Sequence, residues 1–161
     1  SSAGASSARV VSPGAAFLAQ ELLEETTRSG TGRRVSEYGL IANIGGKTGT
    51  TDDARDAWFA GIAGEVAVVV WVGRDQGEPL GLGGATAALP IWARFVDHSG
   101  LAGSDLQGPS GVDEVALCPD TGQGWTSSCP VPVHEWFRAE GVPSEECWLH
   151  SESIEPWETV P

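Results

Sequence analysis

The chain has 161 residues, 40% hydrophobic and 19% charged, the composition of a globular protein long enough to bury about 70% of its unfolded surface. Its net charge of −13 is uneven: residues 1–100 hold 11 acidic and 8 basic side chains, whereas 101–161 hold 11 acidic ones and Arg138 alone. That balance argues against nucleic acid or anionic lipid as a partner, and no apolar run reaches the ~20 residues of a membrane span.

Methionine is absent, so Ser1 is not read as a translation start, and Ser1 to Ser7 reads as a flexible polar lead. Ser12-Pro13 is a helix start, a capping hydroxyl followed by a proline whose missing N–H costs nothing at the first helical position. Phe17, Leu18 and Leu22 form its apolar face, Glu21, Glu24 and Glu25 its charged one, and Gly30 stops it. Thr31 to Arg34 is a turn. Leu40 to Ile44 leads into Gly45-Gly46-Lys47, which sets Lys47 on a strand. Ala57 to Ile62 and Glu65 to Val72 predict two more strands, joined through Ala63-Gly64. The unbroken apolar run of the last predicts cover on both faces, and the short links predict an antiparallel meander. Trp58, Trp71 and Trp92 are assigned to the core. A glycine-rich loop at 81–84 leads into a second helix over Ala85 to Val96, starting nearer Ala88 if Pro90 occupies its first turn.

After Gly100 periodicity fades. Seven of ten prolines, four of seven tryptophans and all three cysteines lie in 101–161. The chain is therefore divided into 1–100, an antiparallel sheet packed by helices (an α+β fold), and 101–161, an acidic and irregular Pro/Cys/Trp-rich tail. In an oxidising compartment two of Cys118, Cys129 and Cys147 could pair, with Cys129–Cys147 preferred because Cys118 precedes a Pro-Asp turn. Cys147-x-x-His150 beside Cys118, Cys129 and His134 is the zinc alternative, but the spacing is not that of a familiar finger. The disulfide is favoured, and no metal or cofactor is assigned. His98, His134 and His150 are assigned to surface or packing, Arg33 and Arg34 to a solvated pair. Asp56 is expected to pair with Arg55 or cap a turn, and Arg74 with Asp75.

Lys47 is the one lysine, in Gly46-Lys47-Thr48-Gly49-Thr50-Thr51. Lys-Thr-Gly is one of three motifs around the acylated serine of penicillin-binding proteins and serine β-lactamases. The Ser-x-x-Lys that carries the nucleophile would need serine where Ile44 stands, and Ser-x-Asn would need serine at Ile41. A phosphate-binding loop fails too, for lack of glycine at Ile41. Lys47 would bring positive charge to a substrate carboxylate. Thr48 and Thr50 would offer it hydroxyls, Gly49 would let substrate lie against the backbone, and the Thr50 N–H would be one oxyanion donor.

Ser29-Gly30-Thr31-Gly32-Arg33-Arg34, the Lys47 motif, Asp56-Ala57-Trp58-Phe59-Ala60-Gly61 and Trp71-Val72-Gly73-Arg74-Asp75 together resemble the class A penicillin-binding proteins, the bifunctional murein synthases, over about residues 10–97. The resemblance implies the C-terminal part of a D,D-transpeptidase that cross-links peptidoglycan through a serine acyl-enzyme. Lys47 and Thr50 would be catalytic, and Thr48, Gly49, Thr50 and Thr51 would bind the D-Ala-D-Ala stem peptide or a β-lactam. It also implies a periplasmic location, with the glycosyltransferase and the membrane anchor in an N-terminal part not contained here. Without the nucleophile the chain is expected to be inactive alone. The alternatives are a non-catalytic envelope module that keeps the Lys-Thr-Gly edge and a serine β-lactamase fragment, against which Trp71 to Asp75 and the tail argue.

Overall fold

The computed structural model describes residues 8–40, 43–101 and 107–150. Ser1–Ser7, Ile41 and Trp157 lie outside them. The chain divides between Gln107 and Gly108 into two compact units.

In the first unit, helix α1 (Pro13–Arg28) is capped by Ser12, whose hydroxyl accepts the Ala15 N–H. A 3-10 turn over Arg33–Tyr38 follows, ended by Gly39 at φ 77°. Strands β1 (Ile44–Thr50), β2 (Ala57–Ala63) and β3 (Val66–Val72) form an antiparallel sheet in the order β1-β2-β3, the expected meander. The β2–β3 turn is Gly64-Glu65, one residue later than read from sequence, with Gly64 at φ 58° supplying the left-handed residue that a two-residue hairpin turn requires. Helix α2 (Ala88–Ser99) ends on Gly100 at φ 63°, where the N–H groups of Gly100 and Leu101 return to the last-turn carbonyls.

The core lies between α2 and one face of the sheet. Trp92, Leu89, Val96, Ala88 and Ala93 from the helix meet Phe59 and Ala63 from β2, with Val68, Val70 and Val72 of β3 half-buried against them. Trp92 sets its ring edge against Phe59 at 5.0 Å and donates its indole N–H to the Val68 carbonyl. That approach requires glycine at 61, because a Cβ there would sit 2.6 Å from the Trp92 ring.

Two assignments change here. Strand β3 is covered on one face only: Val69 is 60% and Trp71 48% exposed, and with Trp58, 41% exposed, they share the face away from α2. A continuous Val run cannot report which neighbours are present to cover it. Of the three tryptophans assigned to the core only Trp92 is buried; Trp58 and Trp71 are cross-strand partners with ring centroids 6.2 Å apart. Helix α1 also departs from its expected face. It buries Phe17, Glu24 and Thr27 and exposes Leu22. The reason lies at the sheet edge, where Thr26 and Thr27 donate their hydroxyls to the Gly46 and Ile44 carbonyls of β1.

The second unit is irregular apart from one antiparallel ladder, β4 (Val112–Leu117) with β5 (Val133–Arg138). Bridges from Gly124 to Leu117 and to Glu146 tie the intervening loop and the following segment to it. Among its described residues the buried apolar ones are Val112, Leu117, Cys118 and Cys147.

Candidate functional site

Strand β1 has two unlike halves. In an antiparallel ladder, alternate residues turn their backbone groups toward the partner strand and away from it. Ile44 and Gly46 turn outward and are met by the α1 threonines. By the same alternation Thr48 and Thr50 turn outward beyond the helix contact, so their N–H groups lie on the open part of the edge. Gly45 and Gly46 let the covered half pack closely: a Cβ at Gly46 would meet the Phe59 ring at 2.6 Å.

Lys47 lies opposite Ala60, on the sheet face that carries Trp58 and Trp71. Its Nζ bends round the edge to donate to the Thr48 carbonyl at 3.0 Å and to the hydroxyls of Thr31 and Thr48 at 3.4 Å. The Thr48 hydroxyl donates to Thr31 Oγ1 at 3.1 Å. Thr50 lies opposite Ala57, on the α2 side, where its Oγ1 accepts the Gly84 N–H at 3.2 Å. Gly49 faces Trp58, and Thr51 holds the following turn, its hydroxyl donating to Asp56 Oδ2 and accepting the Asp56 N–H. The edge thus gathers Lys47, Thr48 and the outward backbone of Thr48 and Thr50, while the Thr50 hydroxyl is tied to the loop before α2. Such an edge offers one cation, a hydroxyl and backbone N–H donors to an anionic, peptide-like ligand laid along the strand. Thr31 is an addition that sequence reasoning did not single out; its signal was its place in the Ser29-Gly30-Thr31-Gly32 motif.

Asp56 takes the second of its two expected roles, closing the turn with Thr51, while the other charged residues pair differently from expectation. Asp56 accepts the Trp71 indole N–H at 2.8 Å, and Arg55 instead meets Asp53 at 3.3 Å. Arg74 pairs with Glu78, and Arg34 forks onto Glu37 and reaches the Ala85 carbonyl.

A second cluster lies in the second unit. Cys118, Cys129, Cys147 and His150 bring their ligand atoms within 4.8 Å of one another. All three thiols are free, so the expected Cys129–Cys147 disulfide is not formed. His150, assigned to surface or packing, has a full set of partners. Its Nδ1 is 3.4 Å from Cys118 Sγ and 3.3 Å from Cys147 Sγ, and its Nε2 is 3.4 Å from Asp120 Oδ2. Burial opposes ionisation of Cys147, but contacts from Thr121, the His150 backbone, Cys118 and the His150 ring outweigh it and bring the thiol to about 6. At Cys118 burial is likewise outweighed, by the Asp120 and Thr121 N–H groups, and its thiol is lowered. The Cys147 contact, more than any other, raises His150.

Comparison with known proteins agrees with both units. The penicillin-binding protein 1A C-terminal domain family matches residues 108–152. Penicillin-binding protein 1A of Pseudomonas aeruginosa is 34% identical over 142 residues, which are 84% of this chain and 17% of that protein. Penicillin-binding protein 1B of Vibrio cholerae is 33% identical over 71% of this chain and 15% of its own length. The crystal structure of penicillin-binding protein 1A from Haemophilus influenzae superposes with a TM-score of 0.75 at 26% identity, covering 86% of this chain and 22% of that one. The fold is the α+β fold of the penicillin-binding proteins. Within that class the chain belongs to the class A penicillin-binding proteins, over their C-terminal region. It spans a fifth or less of the length of the curated relatives it matches.

Proposed function

We propose that the open half of β1 is the substrate-binding edge of a peptidoglycan D,D-transpeptidase that works through a serine acyl-enzyme. The observation that carries this reading is the Lys47 ammonium held at the strand edge beside Thr48, next to backbone N–H groups that no neighbouring strand among the described residues occupies. Lys47 and Thr48 take the terminal carboxylate of a D-Ala-D-Ala stem peptide, or the equivalent carboxylate of a β-lactam. The Thr50 N–H supports the developing oxyanion, and Gly49 keeps the edge open to the bound chain. The Thr50 hydroxyl accepts the Gly84 N–H, which fixes its position and leaves its own proton to donate toward the same carboxylate. The nucleophilic serine and the second oxyanion donor come from the part of the polypeptide that precedes Ser1, with the glycosyltransferase and the anchor that holds the protein at the periplasmic face of the inner membrane. Among the described residues no helix is long and apolar enough to cross a membrane.

The test compares the 161-residue chain with the complete polypeptide, each incubated with a fluorescent β-lactam and run on a denaturing gel. Stoichiometric labelling of the complete protein and none of the chain is expected, since no acyl-enzyme forms without a nucleophile. A labelled band from the chain alone would overturn the assignment.

A further inference from the structure

We propose that Cys118, Cys129, Cys147 and His150 bind a structural zinc ion that staples the second unit together. The donor set comes from three separate stretches of chain. Cys118 follows β4 directly, Cys129 sits in the loop before β5, and Cys147 with His150 follows the Gly124–Glu146 bridge. Zinc with bonds of about 2.3 Å to sulfur and about 2.0 Å to nitrogen sets tetrahedral edges of about 3.5–3.8 Å. The sulfur–nitrogen distances of 3.3 and 3.4 Å and the 4.8 Å limit on the whole group fit that frame with small adjustment. Three thiolates and one imidazole form one of the closed donor sets of structural zinc.

The surroundings are those of a ligand set rather than of spare thiols. The outer nitrogen of His150 faces Asp120, the carboxylate–histidine pairing that fixes ring orientation behind a metal. Packing adds an independent argument. Among the described residues of this unit, the buried apolar ones beyond Val112 and Leu117 are the two ligands Cys118 and Cys147. A unit this small with so few core residues lacks the apolar burial to hold its own fold, and small domains of this kind are stapled by disulfides or metals. A disulfide would use two thiols and leave the third with His150 and Asp120 unexplained; a metal ion uses all four donors and the carboxylate behind them.

The experiment is elemental analysis of the full chain purified without chelator, with cobalt exchanged for zinc as a spectroscopic probe. About one zinc per chain is expected, and with cobalt the strong visible bands of a tetrahedral site plus sulfur-to-cobalt charge transfer. Cys147→Ser is expected to lose the metal and His134→Ala to keep it. Asp120→Asn, which leaves every ligand in place, is expected to weaken zinc binding roughly 10- to 100-fold in a competition titration. That variant keeps the proposal testable if Cys147→Ser fails to fold. A chain that takes up neither metal, or an intact-mass measurement showing two of the cysteines disulfide-bonded in exported protein, would overturn it.

Discussion

At the scale of single residues, Lys47 lies on a strand as its sequence context predicts. Its motif marked it, and the structure holds its ammonium at the strand edge through Thr48 and Thr31. Because the side chain is exposed, its removal leaves the core untouched. In the complete polypeptide, Lys47→Ala is expected to slow β-lactam acylation by 10²–10³, roughly 3 kcal/mol, the size of effect seen when one donor is lost at an oxyanion-type site. Stopped-flow acylation beside an unchanged thermal melt makes the check, and near-normal acylation would remove the assigned role. His150 is the opposite case. Cys147-x-x-His150 was visible as a pattern, but its weight depended on Cys118, 32 positions away, and no local rule brings those two together.

At the scale of elements, α1 shows how a neighbour overrides an amphipathic reading. Its contact surface is chosen by the carbonyls at the β1 edge, so threonines at 26 and 27 turn inward and Glu24 is buried with them. One carboxylate oxygen of Glu24 has no hydrogen-bond partner among the described residues. It lines a cavity of about 420 Å³ with Thr27, Arg28, Val35, Leu40 and Ile44. Burial, then Glu21, raises the Glu24 carboxyl above its ordinary value, against Arg28 and Gln20. The folded state therefore keeps the proton to higher pH than the unfolded chain does. Stability from this group is full below the unfolded carboxylate range, about pH 4.3, and is lost as pH rises through the folded value. Glu24→Gln is expected to raise the melting temperature at pH 7, with the gain shrinking toward zero at pH 3. A gain of equal size at both pH values, in melts followed by circular dichroism, would show that the buried charge is not its source.

At the scale of the whole molecule, the sheet of the first unit is covered on one face by α2, while Trp58, Val69 and Trp71 stand exposed on the other. Among the described residues β3 is also an outer strand with one unpaired edge, and an apolar edge of this kind recruits other chains. The isolated chain is expected to self-associate, and Val69→Lys to reduce that association without loss of the α2 core. Co-expression with the preceding part of the polypeptide is expected to abolish it. Sedimentation is the measurement; a monodisperse monomer with a sharp melt above about 50 °C would show that the chain covers its own surfaces.

What the sequence by itself determined was local or carried by motif. The Ser12 cap, the Gly64 turn, the three strands, the start of α2 near Ala88 and the position of Lys47 on β1 all follow from residues within a few places of one another. Turn and cap chemistry act over that range, and side-chain periodicity marks strand and helix directly. What only the tertiary structure decided was which surface each element presents and to what. It exposed one face of β3, turned Glu24 and Thr27 of α1 inward, tied the Thr50 hydroxyl to Gly84, and gathered three cysteines and a histidine from across the tail. Burial and coordination depend on partners distant in sequence, and a run of valines or a scatter of cysteines reads the same whether those partners meet it or not.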